Sequence, residues 1–110
     1  MAALVVTDLP DNPLDAAAAF HARFVSLVRA QVLAGEAVIC LAFDPAGPDH
    51  AAWRLAAVQG LAREAAPMRV NAVIGMDHAA IERTVGWLAG NAAITGQCLT
   101  LGGAGEPIVT

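Results

Sequence analysis

Two side chains capable of acid–base and anion-binding chemistry, His50 and Arg54, stand four residues apart in a largely apolar stretch. On a helix this spacing places them one turn apart on the same face. The histidine could donate a proton, while the arginine could favour its neutral form and could also hold a phosphate. The competing interpretation, which we favour, is that both are exposed residues at the start of a helix. The pair is the candidate catalytic site of the chain.

Other clusters of polar residues have a structural explanation. Asp44 and Asp49 come just ahead of a predicted helix, where carboxylates usually cap the first turn. Asp77, His78 and Glu82 resemble a set of metal ligands only loosely, because helix capping already accounts for Asp77. We therefore predict no metal site.

The cysteines, the tryptophans and a glycine-rich segment are also better explained by packing or turns. Cys40 and Cys98 fall in apolar, strand-like runs, so we expect buried thiols in a reducing compartment and no disulfide, redox pair or zinc site. The glycines of residues 102–105 follow a strand and precede no helix, which argues for a turn and against a phosphate-binding loop. Trp53 and Trp87 could stack on a ligand, but on apolar helices they are more often core or interface anchors.

The hydrophobic pattern alternates between strand-like and helix-like segments. Four short, mainly apolar runs predict strands at residues 3–7, 36–43, 69–74 and 97–101. Three segments with apolar residues at helical spacing lie between them, at residues 14–33, 50–65 and 78–89. Strands that alternate with helices pair in parallel through right-handed connections. We predict one α/β domain over residues 1–110, with a mostly parallel sheet of about four strands and helices on both faces.

Composition restricts the classes of function. Apolar residues make up 57% of the 110 residues and charged residues only 15%, which predicts more hydrophobic surface than a small monomer hides and hence a homo-oligomer. A net charge of −4, with six scattered basic residues, argues against nucleic acid and anionic membranes. No window reaches the roughly 18 consecutive apolar residues of a membrane span. The first residues lack the basic region of a signal peptide, so we expect a cytoplasmic protein.

Two segments of the last third resemble strands of the short-chain dehydrogenase/reductase family. The run MRVNAVIG at residues 68–75 is similar to the family's sixth strand, and ITGQCLTLGG at residues 94–103 is similar to its last. The segment that begins at His50 resembles the family's active-site helix, and the run from Val38 to Phe43 resembles the strand before it. The resemblance covers about residues 3–105 and implies the C-terminal half of a three-layer, Rossmann-like fold. The first three strands and the glycine-rich turn that cradles a dinucleotide pyrophosphate have no counterpart.

The catalytic residues of that family do not carry over. The position of its tyrosine is occupied by His50, that of its lysine by Arg54, and that of its serine by Ala42 or Phe43; the sequence contains no tyrosine or lysine at all. The Pro-Gly after the sixth strand survives only as Gly75, a candidate cofactor contact. The connection after Gly75 is also too short for the family's substrate-binding loop.

The resemblance therefore implies a catalytically silent domain that serves oligomerisation or scaffolding, with no cofactor. Family members pair through two long helices or through their last helix and last strand. The corresponding segments here are residues 14–33 with 50–65, and residues 78–89 with 97–101. We expect a homodimer or homotetramer through one of these routes.

Two alternatives remain open at the level of sequence. The chain could be a divergent NAD(P)-dependent oxidoreductase of the family, or a subunit completed by a partner chain that supplies the nucleotide-binding half. It could instead bind a small molecule in a crevice at the carboxyl ends of the strands, near Phe43, His50 and Gly75.

Overall fold

A computed structural model describes residues 1–102 and the backbone of residues 107–109. The strands of this part are Ala2–Val6 (β1), Val38–Phe43 (β2), Arg69–Ile74 (β3), Cys98–Leu101 (β4) and Pro107–Val109 (β5). The helices are Pro13–Leu33 (α1), Ala51–Ala65 (α2) and His78–Ala89 (α3), and a single 3-10 turn, Pro48–His50, leads into α2. No helix among the described residues is both long and apolar enough to cross a membrane.

The strands form one sheet in the order β1-β2-β3-β4-β5. The first four are parallel, in a register that pairs Leu4 with Leu41 and Leu41 with Ala72, and β5 joins β4 antiparallel. The predicted α/β fold with a four-stranded parallel sheet is thus confirmed. The sequence did not indicate β5. The turn predicted from the glycine-rich segment falls largely on residues 103–105, outside the described residues.

The three helices cover both faces of the sheet, as predicted. Helices α1 and α2 share a core with alternate residues of β2, including Leu41 and Phe43, whereas α3 packs Val85 and Leu88 beside Cys40 on the opposite face. The four parallel strands advance in one direction across the sheet. Because α3 lies on the opposite face of the sheet from α1 and α2, the β3–α3–β4 connection has the opposite hand to the first two. The three connections therefore do not share one hand, and the expectation of right-handed connections throughout was wrong.

Capping side chains fix the starts of two helices. Asn12 accepts hydrogen bonds from two backbone N–H groups in the first turn of α1, and Asp77 does the same for α3. Asp49 was predicted to cap α2, but it does not. It lies inside the 3-10 turn, and His50, which occupies the cap position of α2, makes no side-chain capping bond. The chain thus enters α2 through a continuous helical turn that leaves the His50 ring available for tertiary contacts.

Candidate functional site

The candidate pair lies where β2 ends and α2 begins, at the carboxyl edge of the parallel strands. His50 and Arg54 are only 9% and 7% exposed. The interpretation of both as exposed helix-start residues was therefore wrong. Spacing along a helix shows that two residues share a face, but it does not show which face, and here that face is turned toward the strand ends and the loop after β1.

Both ring nitrogens of His50 are engaged within the protein. The indole Nε1–H of Trp53, which can only donate, donates to His50 Nδ1 at 3.0 Å. The ring proton must therefore sit on Nε2, which donates to the backbone carbonyl of Asp11 at 2.9 Å. A second proton on Nδ1 would break the bond from Trp53. The arrangement uses the imidazole as a bridge between the loop after β1 and helix α2.

Arg54 is a buried cation with few hydrogen bonds. Its Nη1 donates to the carbonyl of Asp44 at 2.9 Å, and its guanidinium lies 4.5 Å from the ring centre of Phe43. Its Nε is buried without a hydrogen-bond partner, and no carboxylate within residues 1–102 forms an ion pair with it. Burial lowers the pKa of Arg54 from its usual range, while Cys98 and Asp44 oppose this change. Arginine still remains protonated at neutral pH.

A cluster of aromatic rings packs next to His50 and Arg54. The ring centres of Phe20, Phe43 and Trp53 lie 5.6 to 6.0 Å from one another, at angles typical of favourable aromatic pairs. Trp53 is thus a core anchor, as we predicted. Trp87, on α3, is 49% exposed and has no part in this cluster.

The other positions assigned by resemblance have packing roles. Ala42 and Phe43, at the serine position, are both buried in β2. Gly75 is buried as well, and its N–H donates to the carbonyl of Phe43 at 3.1 Å. A Cβ at Gly75 would lie 3.0 Å from the Leu101 side chain, so a larger residue there would require Leu101 of β4 to shift.

Three cavities lie near the carboxyl ends of the strands. The largest, about 430 Å³, is a mainly apolar groove between the outer face of β1 and β2 and helix α3, and Phe43 and Gly75 line it. Two smaller clefts, of about 220 and 140 Å³, are both lined by His50 and Arg54. The single crevice predicted near Phe43, His50 and Gly75 is therefore divided among separate cavities.

The cysteines and the loose cluster of metal-ligand types behave as packing and capping residues. Cys40 and Cys98 are buried and form no disulfide. Burial raises the pKa of Cys40 to about 12, and it raises that of Cys98 to about 11 although Arg54 acts in the opposite direction. Both thiols are thus protonated and poorly nucleophilic at neutral pH. His78 and Glu82 form an exposed pair on α3, and within residues 1–102 no three metal-ligating side chains form a group that could hold an ion.

Sequence reasoning missed two polar contacts that shape this region. The bond from Trp53 to His50 was within reach, because residues three apart on a helix are neighbours. Asn71 on β3 is fully buried and forms hydrogen bonds to the loop before β4 through both the nitrogen and the oxygen of its side-chain amide. An asparagine inside an apolar strand is a signal of this kind, since a buried amide needs partners.

Comparison with known proteins identifies the family of the chain. A family model described as "SDR-like: Short chain dehydrogenase-like protein" matches residues 4–101. Neither curated proteins nor solved structures give a match. The matched region includes all three helices and the four parallel strands except the first two residues of β1, together with His50, Arg54 and Gly75. The chain therefore belongs to the SDR-like family of short-chain dehydrogenase-like proteins.

Proposed function

We propose that this domain is a catalytically silent member of its family whose role is assembly. The observation that carries the proposal is the hydrogen bonding of His50, which stands at the position of the family's catalytic tyrosine. Both of its ring nitrogens are bound inside the protein, to Trp53 and to Asp11. A general acid must reach the reacting atom with a transferable proton. His50 could do so only by giving up a buried structural bond.

The rest of the sequence supports the same conclusion. No tyrosine or lysine is present to replace the missing phenol and ammonium groups, and the serine position carries an apolar side chain. Arg54 holds its positive charge against Phe43 and the Asp44 carbonyl. These residues stabilise the junction of β2 and α2, which accounts for their burial without a reaction.

The surface proposed for assembly is the outer side of α1 and α2. The two helices lie side by side on one face of the sheet, joined by a two-pronged ion pair in which Arg29 donates to Glu64 at 2.8 and 3.0 Å. Exposed alanines recur one turn apart on both helices, at residues 18 and 22 of α1 and residues 52 and 56 of α2. Small side chains allow helices to pack closely. A second copy would complete a four-helix bundle of the kind that family members form.

Light scattering after size exclusion tests this assembly. We expect the wild type to be a dimer or tetramer, and Ala56→Arg to reduce the measured mass, because a long charged side chain would separate the two helix pairs. Trp87→Arg on α3 is the matched variant for the second route. Loss of assembly in Trp87→Arg alone would move the interface to α3 and β4. A monomeric wild type at micromolar concentration would overturn the assembly role.

A second candidate function, a subunit completed by a partner chain, is favoured by the exposed side of β1. Within the described residues no strand pairs with the outer edge of β1. On the face away from α1, Ala3 and Val5 are exposed, Val5 by 62%, and the groove of about 430 Å³ lies beside them. An added strand with a following helix would cover both the edge and the groove. The nucleotide-binding half of a short-chain dehydrogenase has such elements.

Calorimetry with NADH and NADPH separates the two functions. For the silent domain we expect no heat at millimolar cofactor. Binding tighter than about 100 μM, or about 5.5 kcal/mol, would overturn the proposal of a silent domain. A completed subunit should bind cofactor only after addition of a chain with a strand–Gly-x-x-x-Gly-x-Gly–helix unit, and Val5→Asp should weaken that association. Failure of such a chain to bind would eliminate the second candidate.

A further inference from the structure

Arg54 separates two clefts of different electrostatic character. The cleft of about 220 Å³, here the aspartate cleft, is lined by Asp8, Asp11 and Asp44. The cleft of about 140 Å³, here the Thr100 cleft, has no acidic residue among the described residues of its lining. Its lining consists of residues 45–48, His50 and the first turn of α2, Ile74 at the end of β3, and Cys98 and Thr100 of β4. Among the described residues that line the Thr100 cleft, the guanidinium of Arg54 is the only formally charged group.

The guanidinium of Arg54 has unused hydrogen-bond donors that an anion can accept from. It has five N–H donors, of which one is used by the Asp44 carbonyl at 2.9 Å, while Nε is buried without an acceptor. An unpaired buried cation is unfavourable, so an incoming anion regains interaction energy that the protein itself does not supply. The Phe43 ring, 4.5 Å away, holds the guanidinium plane in place and limits the ordering cost of binding.

We propose that the Thr100 cleft binds a small oxyanion group, a carboxylate or a phosphoryl group, through Arg54. Arginine matches both groups because its planar fork can donate two parallel hydrogen bonds to them. Thr100, whose side chain carries a hydroxyl that can donate a hydrogen bond, also lines the cleft. The site extends beyond the assembly role, since it requires neither a reaction nor a second copy.

The size of the cleft defines the ligand further. Pockets for whole drug-sized ligands have volumes of about 300 to 1,000 Å³. The Thr100 cleft, at about 140 Å³, holds the oxyanion group but no large body attached to it. The ligand is thus a small acid, or a larger one that inserts only its charged end. The aspartate cleft repels the same group, which leaves the Thr100 cleft as the side of entry.

The side-chain Nε–H signal of Arg54 in a ¹⁵N correlation spectrum provides a direct test. We expect saturable shifts of this signal on titration with sodium acetate or with sodium phosphate, at ionic strength held constant with sodium chloride. Saturation by acetate alone identifies a carboxylate ligand, and saturation by phosphate alone identifies a phosphoryl ligand. Shifts that rise linearly with both salts, or that chloride reproduces, would overturn the proposal.

Three substitutions complete the test. Arg54→Gln should abolish saturable binding followed through the Thr100 backbone signal, while Arg83→Gln, which removes the same charge from an exposed site on α3, should leave it unchanged. Thr100→Val keeps the side-chain shape and should weaken binding by roughly tenfold or more, since a hydrogen bond to a charged group contributes about 1.5 to 3 kcal/mol. The Thr100→Val variant also provides the test of binding if Arg54→Gln fails to fold. Unchanged affinity in both Arg54→Gln and Thr100→Val would contradict the assignment.

Discussion

Phe20→Ala should lower the free energy of unfolding by about 3 to 5 kcal/mol, the usual cost of removing a fully buried aromatic ring. Phe20 is inaccessible to solvent, and its ring centre lies 5.6 Å from those of both Phe43 and Trp53. It therefore joins α1 to the end of β2 and the start of α2. Loss of the ring leaves a cavity beneath the region that holds His50 and Arg54.

Urea unfolding followed by tryptophan fluorescence measures this effect, at one fixed protein concentration because association adds to apparent stability. Leu14→Ala is the matched control on the same helix, since Leu14 is 82% exposed and its truncation should change stability by less than about 0.5 kcal/mol. A similar loss in both variants would show that the aromatic cluster does not carry the packing of α1.

Asn71→Ala should cost about 3 kcal/mol of stability. The amide of this fully buried residue donates through Nδ2 to the Ile94 carbonyl at 3.1 Å and accepts through Oδ1 from the Gln97 N–H at 3.0 Å. Truncation removes a partner from two backbone groups, and each buried group left without a bond costs about 1 to 3 kcal/mol. The loop before β4 should loosen as a result.

Hydrogen exchange at the Gln97 amide reports that loosening directly, and urea unfolding gives the total cost. Asn91→Ala is a suitable comparison, because within the described part of the chain the Asn91 side chain bonds only the Trp87 carbonyl, at the exposed end of α3. We expect the Gln97 amide to lose protection in the Asn71 variant and to keep it in the Asn91 variant. Equal protection in both would mean that another group holds the loop.

The structural features that the sequence predicted well are those that depend on residues close to one another in the chain. Helix and strand positions follow from hydrophobic period, and the cap at Asp77 follows from the preference of short polar side chains for helix starts. The burial of all six residues of β2 was also predictable, since a continuous apolar run is typical of an interior parallel strand. Each of these properties depends on neighbouring residues alone.

Properties that depend on distant residues were not predictable in this way. The face on which α3 packs is a choice between two sides of a sheet, and an amphipathic helix fits either. The burial of His50 depends on a carbonyl 39 residues earlier in the chain, at Asp11. The separation of the candidate crevice into clefts around Arg54 likewise results from loops that meet only in the folded state. The role of the chain in assembly remains a prediction.

The two edges of the described sheet are unequal, and this difference would limit polymerisation of the chain through strand addition. One edge is β1, five residues long, and the other is β5, three residues long and beginning with Pro107, which has no N–H to donate. A fibre grown by strand addition needs two edges that accept each other head to tail. Pairing of β1 with β1 of a second copy would instead use the longer edge, which has no proline, in both molecules. Growth through the sheet would then stop at two chains, with poor edges facing outward.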